Sequence, residues 1–237
     1  VDSQFFDIDP SGNLTFKRNS VGLQRLLVFS TPGNTTFTKA SFPGLTRLRV
    51  RAVGGGGGAS GAAADAGEGV ARTGGGGGAY SESVLDATAI GASETITVGA
   101  GGAGGTGNVA GVDGGASSFG GLVTAPGGRG STPTMASGTA QAIVPGGNQA
   151  NAGTGQIALP GGNGGAALRI SGTFVLPGHG GDAGGGMGAG GAVNGNNLNG
   201  VDGSVYGGGG GGASSASGTV RIGGDGANGV VLVELYY

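Results

Sequence analysis

Apolar and polar residues alternate strictly along TRLRVRAV (46–53), with Leu48, Val50 and Ala52 on one side and Arg47, Arg49 and Arg51 on the other. A period of two predicts a strand with one buried face. RLLVFSTPGNTTFTKASFPG (25–44) predicts a strand, a turn at Thr31-Pro32-Gly33-Asn34, a second strand and a turn at Pro43-Gly44. The C-terminal GVVLVELYY (229–237) has the same strand character. Beyond Val53 the alternation stops. Short apolar groups (LVTAP, AIVP, IALP, FVLP) each lead through proline into a glycine run, and the plan recurs every 15–19 residues between positions 122 and 180.

Inside the glycine runs the period is three. In GAGGAGGTG (99–107) only Ala100, Ala103 and Thr106 carry side chains, and the spacing returns at Pro126, Arg129, Thr132, at Pro145, Asn148, Asn151, at Pro160, Asn163, Ala166 and at Ile222, Asp225, Asn228. The polyproline-II helix has three residues per turn and no internal hydrogen bonds, so its backbone groups point outward and need partners when buried. Glycine on two edges lets such helices approach until backbone bonds backbone, and the third edge carries side chains to solvent. Runs without side chains, GGGGG at 54–58 and 74–78 and GGGGGG at 207–212, suit an interior layer. The expected fold class is mainly irregular and β, without substantial α-helix: a bundle or sandwich of about eight to ten polyglycine/polyproline-II helices over 54–228. Short β-strands form its base. The expected organisation is an attachment segment at 1–25, a small β-element at 26–53 pairing with the strand at 229–237, and the glycine-rich body between.

Composition supports order over a flexible linker. Of 65 glycines in 237 residues, four lie in 1–53 and 61 in the remaining 184. Ordering each costs about 0.5–1 kcal/mol more than alanine, so the ordered state needs a large compensating gain, which lateral hydrogen bonds of about 1 kcal/mol each would supply. Only 10% of residues are charged, and β-branched triplets punctuate the runs, unlike disordered tracts. Collagen is excluded because YSESVLDATAIGASETITVG (80–99) breaks any three-residue glycine register. Seven of the 11 basic residues lie in 1–51, leaving a mildly acidic remainder, so nucleic acid is not an expected partner. There is no cysteine and no apolar run of about 20 residues. The N-terminal VDSQFFDIDP has neither an initiating Met nor a basic-then-apolar leader, and the expectation is a processed or trimmed piece of a longer protein.

Candidate chemistry is sparse. His179 and Asp182 stand three apart and would share one solvated edge, too few ligands for a metal site. Glu68, Asp113, Asp182, Asp202 and Asp225 are scattered, giving no pair of the kind glycan hydrolysis uses. No GxSxG elbow accompanies His179, and GxGxxG strings follow from composition alone. The expectation is a non-enzymatic protein with no catalytic residue, cofactor or metal.

The ordered landmarks RLRVRAVGGGGG, GGGGGAYSESVLDA, ETITVGAGGAGG, GGASSFGG and GANGVVLVELYY resemble the glycine-rich domain of bacteriophage tail proteins. Over roughly residues 26–237 the chain is similar in architecture to the polyglycine-II sandwich adhesins at the tips of T-even-like phage long tail fibres. The resemblance implies a virion tail location, with one end attached to other tail or fibre subunits. Loops at the other end would contact a host-cell surface receptor, a protein or a glycan, and a homotrimer is the family habit. Candidate receptor-facing stretches are those that interrupt glycine with larger side chains: 60–73, 130–141, 168–174 and 192–208. From the last come Asn196, Asn197, Leu198, Asn199, Val201, Asp202 and Tyr206, and from the first two Arg72 and Met135. Amides and an exposed tyrosine suit adaptable recognition; equally, Tyr206 could cap the next glycine helix. Two other readings stand beside the adhesin: a structural tail module, spacer or decoration, without receptor contact, and an ice-binding protein. Mixed polar residues at the outward positions Arg129, Asn148, Asn163 and Asp225 argue against the latter.

Overall fold

The computed structural model describes residues 22–193 and 195–237, together with the backbone of Phe6–Ile8 and Leu14–Phe16. The attachment segment expected over 1–25 falls largely outside the described residues. Phe6–Ile8 (β1) and Leu14–Phe16 (β2) pair antiparallel. The described chain is mainly β and irregular, its ladders all antiparallel, and it contains no α-helix.

Two sheets form one end, here termed the base. The larger has the order β13 (Ile157–Leu159), β8 (Tyr80–Asp86), β5 (Arg47–Val53), β18 (Val230–Tyr236) and β3 (Leu23–Phe29). The smaller has the order β11 (Val123–Ala125), β10 (Ser117–Phe119), β9 (Ser93–Val98) and β4 (Gly33–Thr38). Leu48, Val50 and Ala52 meet Val231, Val233 and Leu235 on one side of the core, and Phe37, Ile96, Val98, Phe119 and Val123 on the other. Phe37 stacks on Phe42 at 5.0 Å and meets Phe119 edge-on at 5.4 Å. Each large side chain buried here stabilises by about 1.5–3 kcal/mol.

The opposite face of β5 carries the arginines into a cross-strand ion-pair ladder. Arg47 meets Asp86 at 3.4 Å, Arg49 meets Glu82 at 2.7 Å and Arg51 meets Glu234 at 2.5 Å. The Tyr80 hydroxyl donates to Glu82, and that of Tyr236 to Glu234 at 2.8 Å. The bond from Arg49 holds the Glu82 carboxyl below its ordinary range. Burial, and then the bond to Glu82, pushes the Tyr80 phenol up to about 12.

Between the base and the far end run the glycine tracts, whose backbone donors change partner with a period of three. In 54–59, Gly54 and Gly57 donate to Ala79 and Gly76, Gly55 and Gly58 to Gly115 and Val112, and Gly56 and Ala59 to Ala227 and Gly224, all at 2.8–3.0 Å. In 74–79, Gly74 and Gly77 donate to Gly165 and Gly162, Gly75 and Gly78 to Gly210 and Gly207, and Gly76 and Ala79 to Arg129 and Pro126, at 2.8–3.3 Å. Partner numbers fall as donor numbers rise, so these neighbours are antiparallel. Gly102 and Gly105 donate to Gly56 and Ala59 in parallel register. The runs 54–58, 74–78 and 207–212 are fully buried, and lateral bonding supplies the partners that buried backbone requires. Contact is close enough to forbid side chains: a Cβ on Gly56 would lie 2.0 Å from the carbonyl oxygen of Gly208. Along 100–106, Ala100, Ala103 and Thr106 are exposed while Gly102 and Gly105 are buried.

The outermost tracts have N–H groups facing solvent, and acidic or amide side chains cap them. Asp113 accepts from Gly130 N at 2.7 Å, Asp182 from Gly190 N at 2.8 Å, Asp202 from Asp225 N at 2.8 Å and Asp225 from Gly104 N at 2.6 Å. Asn199 and Asn228 do the same for Ile222 N and Gly101 N at 3.0 and 2.9 Å.

Candidate functional site

The loops at the end away from the base gather around a second, smaller core. It contains Ala62, Ala64, Val70, Ala71, Met135, Ala167, Val175 and Ala213. Small-residue ladders close it: β6 (Ala62–Ala63) with β17 (Val220–Arg221), β7 (Gly69–Ala71) with β16 (Ser214–Ala216), and β12 (Ala142–Val144), β14 (Ala167–Arg169) and β15 (Val175–Leu176) in one sheet. Alternation in that last sheet turns Val144, Ala167 and Val175 toward the core, leaving Ile143 70% exposed opposite Leu168. Ile170 and Phe174, also exposed, are joined by a backbone bond from Ile170 N to Phe174 O.

Three of the candidate stretches, 60–73, 130–141 and 168–174, meet here. Gly69 N donates to Gly138 O and Asp65 N to the Ser137 hydroxyl, both at 2.9 Å. The fourth stretch, 192–208, is divided. Asn196 bridges to 168–175, donating to Thr173 O at 2.5 Å and accepting from Val175 N at 3.2 Å. Asn197 sits at φ 57, a left-handed conformation that asparagine tolerates, and accepts from Ala216 N at 3.3 Å. Leu198 is 41% exposed. These three form part of the far end. Asn199, Val201 and Asp202 belong instead to a lateral tract, with Asn199 and Asp202 capping its neighbour and Val201 O accepting from Gly211 N at 2.7 Å.

Tyr206 lies at the base. It precedes Gly207, whose φ of +82 makes the turn and where a Cβ would run into Gly54 O, Val53 and Ala183. Tyr206 is therefore separated from Asn196–Leu198 by the length of a tract. Two further candidates lie inside the protein. Arg72, 3% exposed, donates to Gly61 O at 2.9 Å, Met135 O at 2.6 Å and Asn108 Oδ1 at 2.5 Å. Burial lowers its pKa to about 10, still well above neutrality. Met135, 4% exposed, accepts from Ala71 N through its sulfur at 3.4 Å. Neither side chain can touch a partner on the outer surface; both pack the loops together.

The sequence model of a family described as a glycine-rich domain matches residues 30–236. The chain belongs to this glycine-rich domain family. No curated protein matches it.

Within this glycine-rich domain the carboxylates Asp113, Asp182, Asp202 and Asp225 each hold a backbone N–H, and His179 contacts Gly180 O through Nδ1 at 2.7 Å. No group of three or more His, Cys, Asp or Glu able to hold a metal occurs among the described residues. Two residues of the far end of the domain are not singled out by the sequence, although one of them, Arg169, lies in the candidate stretch 168–174. Arg169, 8% exposed, reaches Ala140 O and Ala136 O at 2.6 Å and Gly69 O at 2.9 Å. Asn108 ties Ala63 to Arg72, accepting from Ala63 N and donating to Ala63 O, both at 3.0 Å. The alternating Ala167-Leu168-Arg169-Ile170 was the available signal, since it places Arg169 on the same strand face as Ala167.

Proposed function

We propose that the glycine tracts are polyglycine-II helices stacked as a sandwich, and that the protein is a bacteriophage tail adhesin whose far-end loops bind a host-cell surface receptor. The helix reading draws on the three-residue rotation of donors and on Ala183, whose φ −66 and ψ 147 lie in the polyproline-II region. The adhesin reading rests on one observation: loops from 60–73, 130–141 and 168–174, with Asn196, Asn197 and Leu198, converge on one end of a laterally bonded body. There Ile170, Phe174 and Leu198, and Ile143 of the adjoining β12, are exposed. Exposed apolar side chains on loops at one end of a laterally bonded body are an arrangement suited to recognition.

In this reading the partners are a receptor, protein or glycan, at the loop end and tail or fibre subunits at the base, in a homotrimer on the virion tail. The experiment is direct labelling of whole bacterial cells by the purified chain, repeated with 130–141 or 168–174 shortened. Labelling of susceptible cells, lost on shortening and absent from resistant cells, is the expected result. Labelling that persists without those loops refutes the assignment.

The alternative, a structural tail module without receptor contact, draws on the base. There the edge strand β3 exposes Leu23, Leu26 and Val28 by 56%, 49% and 54%, an apolar strip suited to a neighbouring subunit. It predicts no cell labelling at all.

A further inference from the structure

Arg72 and Arg169 are the buried arginines of the loop end, and their hydrogen-bonding partners are backbone carbonyls and one amide, with no carboxylate among them. A buried guanidinium is tolerated only when its donors are satisfied. Three of the six satisfying oxygens come from one segment. Met135 O takes Arg72, while Ala136 O and Ala140 O take Arg169. Each cation also binds the 60–73 loop, through Gly61 O and Gly69 O respectively. The irregular segment 130–141 is thus wrapped around two cations supplied by other parts of the chain.

Neutral hydrogen bonds attach it further. Ser131 N donates to Gly58 O at 3.0 Å, the Ser131 hydroxyl accepts from Ser60 N at 2.8 Å, and Gly138 O and Ser137 Oγ accept from Gly69 and Asp65. All of this uses backbone atoms and the side chains of Ser131, Met135 and Ser137. Thr134, Thr139 and Gln141 are exposed, and none of these attachments uses their side chains.

We propose that 130–141 is the specificity element of the adhesin: Arg72 and Arg169 are positioning residues that fix its backbone from outside, and Thr134, Thr139 and Gln141 are the side chains that read the receptor. This rests on the receptor-binding reading above. A loop held by external cations through its carbonyls keeps one conformation whatever its exposed side chains are, so those side chains can change with little effect on the fold. Preorganisation of this kind also removes an ordering cost from binding.

The test has two arms on the full chain. In the first, amide exchange of Asp65 and Gly69, whose N–H groups report the seating of 130–141, is measured in Arg169→Met and, independently, in Arg72→Gln. Loss of hydrogen bonds to a charged group speeds their exchange roughly tenfold or more, while the base amides of β5 and β18 are unaffected. If Arg72→Gln melts the whole body, Arg169→Met decides this arm. In the second, Thr134→Ala, Thr139→Ala and Gln141→Ala combined lowers cell labelling at least about tenfold and leaves the melting temperature unchanged. Unchanged exchange in the arginine variants overturns the clamp. Undiminished labelling by the triple variant overturns the specificity assignment alone. Absence of labelling by the unaltered chain overturns the receptor reading, and the specificity assignment with it, while the exchange arm still decides the clamp.

Discussion

Gly57→Ala and Gly147→Ala remove the same flexibility from the unfolded chain and meet opposite surroundings in the folded one. Around Gly147 a Cβ would find nothing within 4 Å. At Gly57 it would lie 2.2 Å from Arg129 O, 2.4 Å from Arg129 C and 2.9 Å from Gly128 O, all backbone. Ordinary contact begins near 3.4 Å, so the 126–131 tract must retreat by about 1.2 Å. That retreat breaks Gly76 N to Arg129 O, Gly128 N to Gly55 O and Ser131 N to Gly58 O, now at 2.9, 2.9 and 3.0 Å. A lost buried bond costs about 1–3 kcal/mol when its groups stay unsatisfied. The three together cost about 3 kcal/mol at the least, against about 0.4–1 kcal/mol gained from a stiffer unfolded chain. Gly57→Ala should therefore destabilise by about 2 kcal/mol or more, and Gly147→Ala should stabilise by up to about 1 kcal/mol. Calorimetry would place the two melting temperatures roughly 6 °C or more apart. Equal melting temperatures would refute the claim that close lateral contact between tracts excludes side chains.

Other expectations follow from the caps, the base and the divided loop. Asp225→Ala uncaps Gly104 N and costs about 0.5–1.5 kcal/mol, whereas Asp225→Asn retains an acceptor and most of that stability, as denaturant titration would read. Because the folded-state value of Glu82 lies below its ordinary range, its bond to Arg49 contributes above that range and is lost as pH falls through the lowered value. Glu82→Gln should accordingly melt earlier at neutral pH and lose less further stability on acidification, measured as melting temperature against pH. Leu198→Asp, at the loop end, should abolish cell labelling, while Tyr206→Ala, at the base, should leave it intact; the opposite ordering would transfer recognition to the base.

Legibility followed from how locally each constraint acts. The strand at β5 was readable because burial of one face imposes a period of two on adjacent residues, and Leu48, Val50 and Ala52 obey it. The spacing at 99–107 was readable because exposure there also repeats over neighbouring positions, with Ala100, Ala103 and Thr106 outward. Partner identity was not readable, since glycine is chemically the same on every edge. Nothing in GGGGG at 54–58 distinguishes the edge that bonds 76–79 from the edge that bonds 224–227. At the loop end the inference from bulky interruption to surface contact failed at Arg72 and Met135, because a small core assembled from distant loops also needs bulk. Arg72 follows Val70 and Ala71 directly, and all three are buried. Bulk alone makes 192–208 look like one loop, yet Asn199 and Asp202 stand three apart and cap a lateral tract that places Tyr206 at its other end.

The division of labour among the parts explains why one chain combines such unequal compositions. Hydrophobic burial is non-directional and tolerates repacking, which suits a base that must close two sheets around Phe37, Phe119 and Leu235. Lateral backbone bonding is directional and leaves no room for a methyl group at Gly56 or Gly76, so it fixes the spacing of tracts independently of any side chain. Loops grown on such a frame start from fixed points at every tract end. Their own sequences are then free to carry bulk inward, as Met135 does, or outward, as Ile143 and Leu198 do. An ordinary small core would couple surface changes to packing, because the same strands carry both faces. Here the inner tracts are held by backbone atoms, with side chains entering as caps on the outer tracts, so variation at the loop end is separated from stability by the chemistry of the glycine tracts themselves.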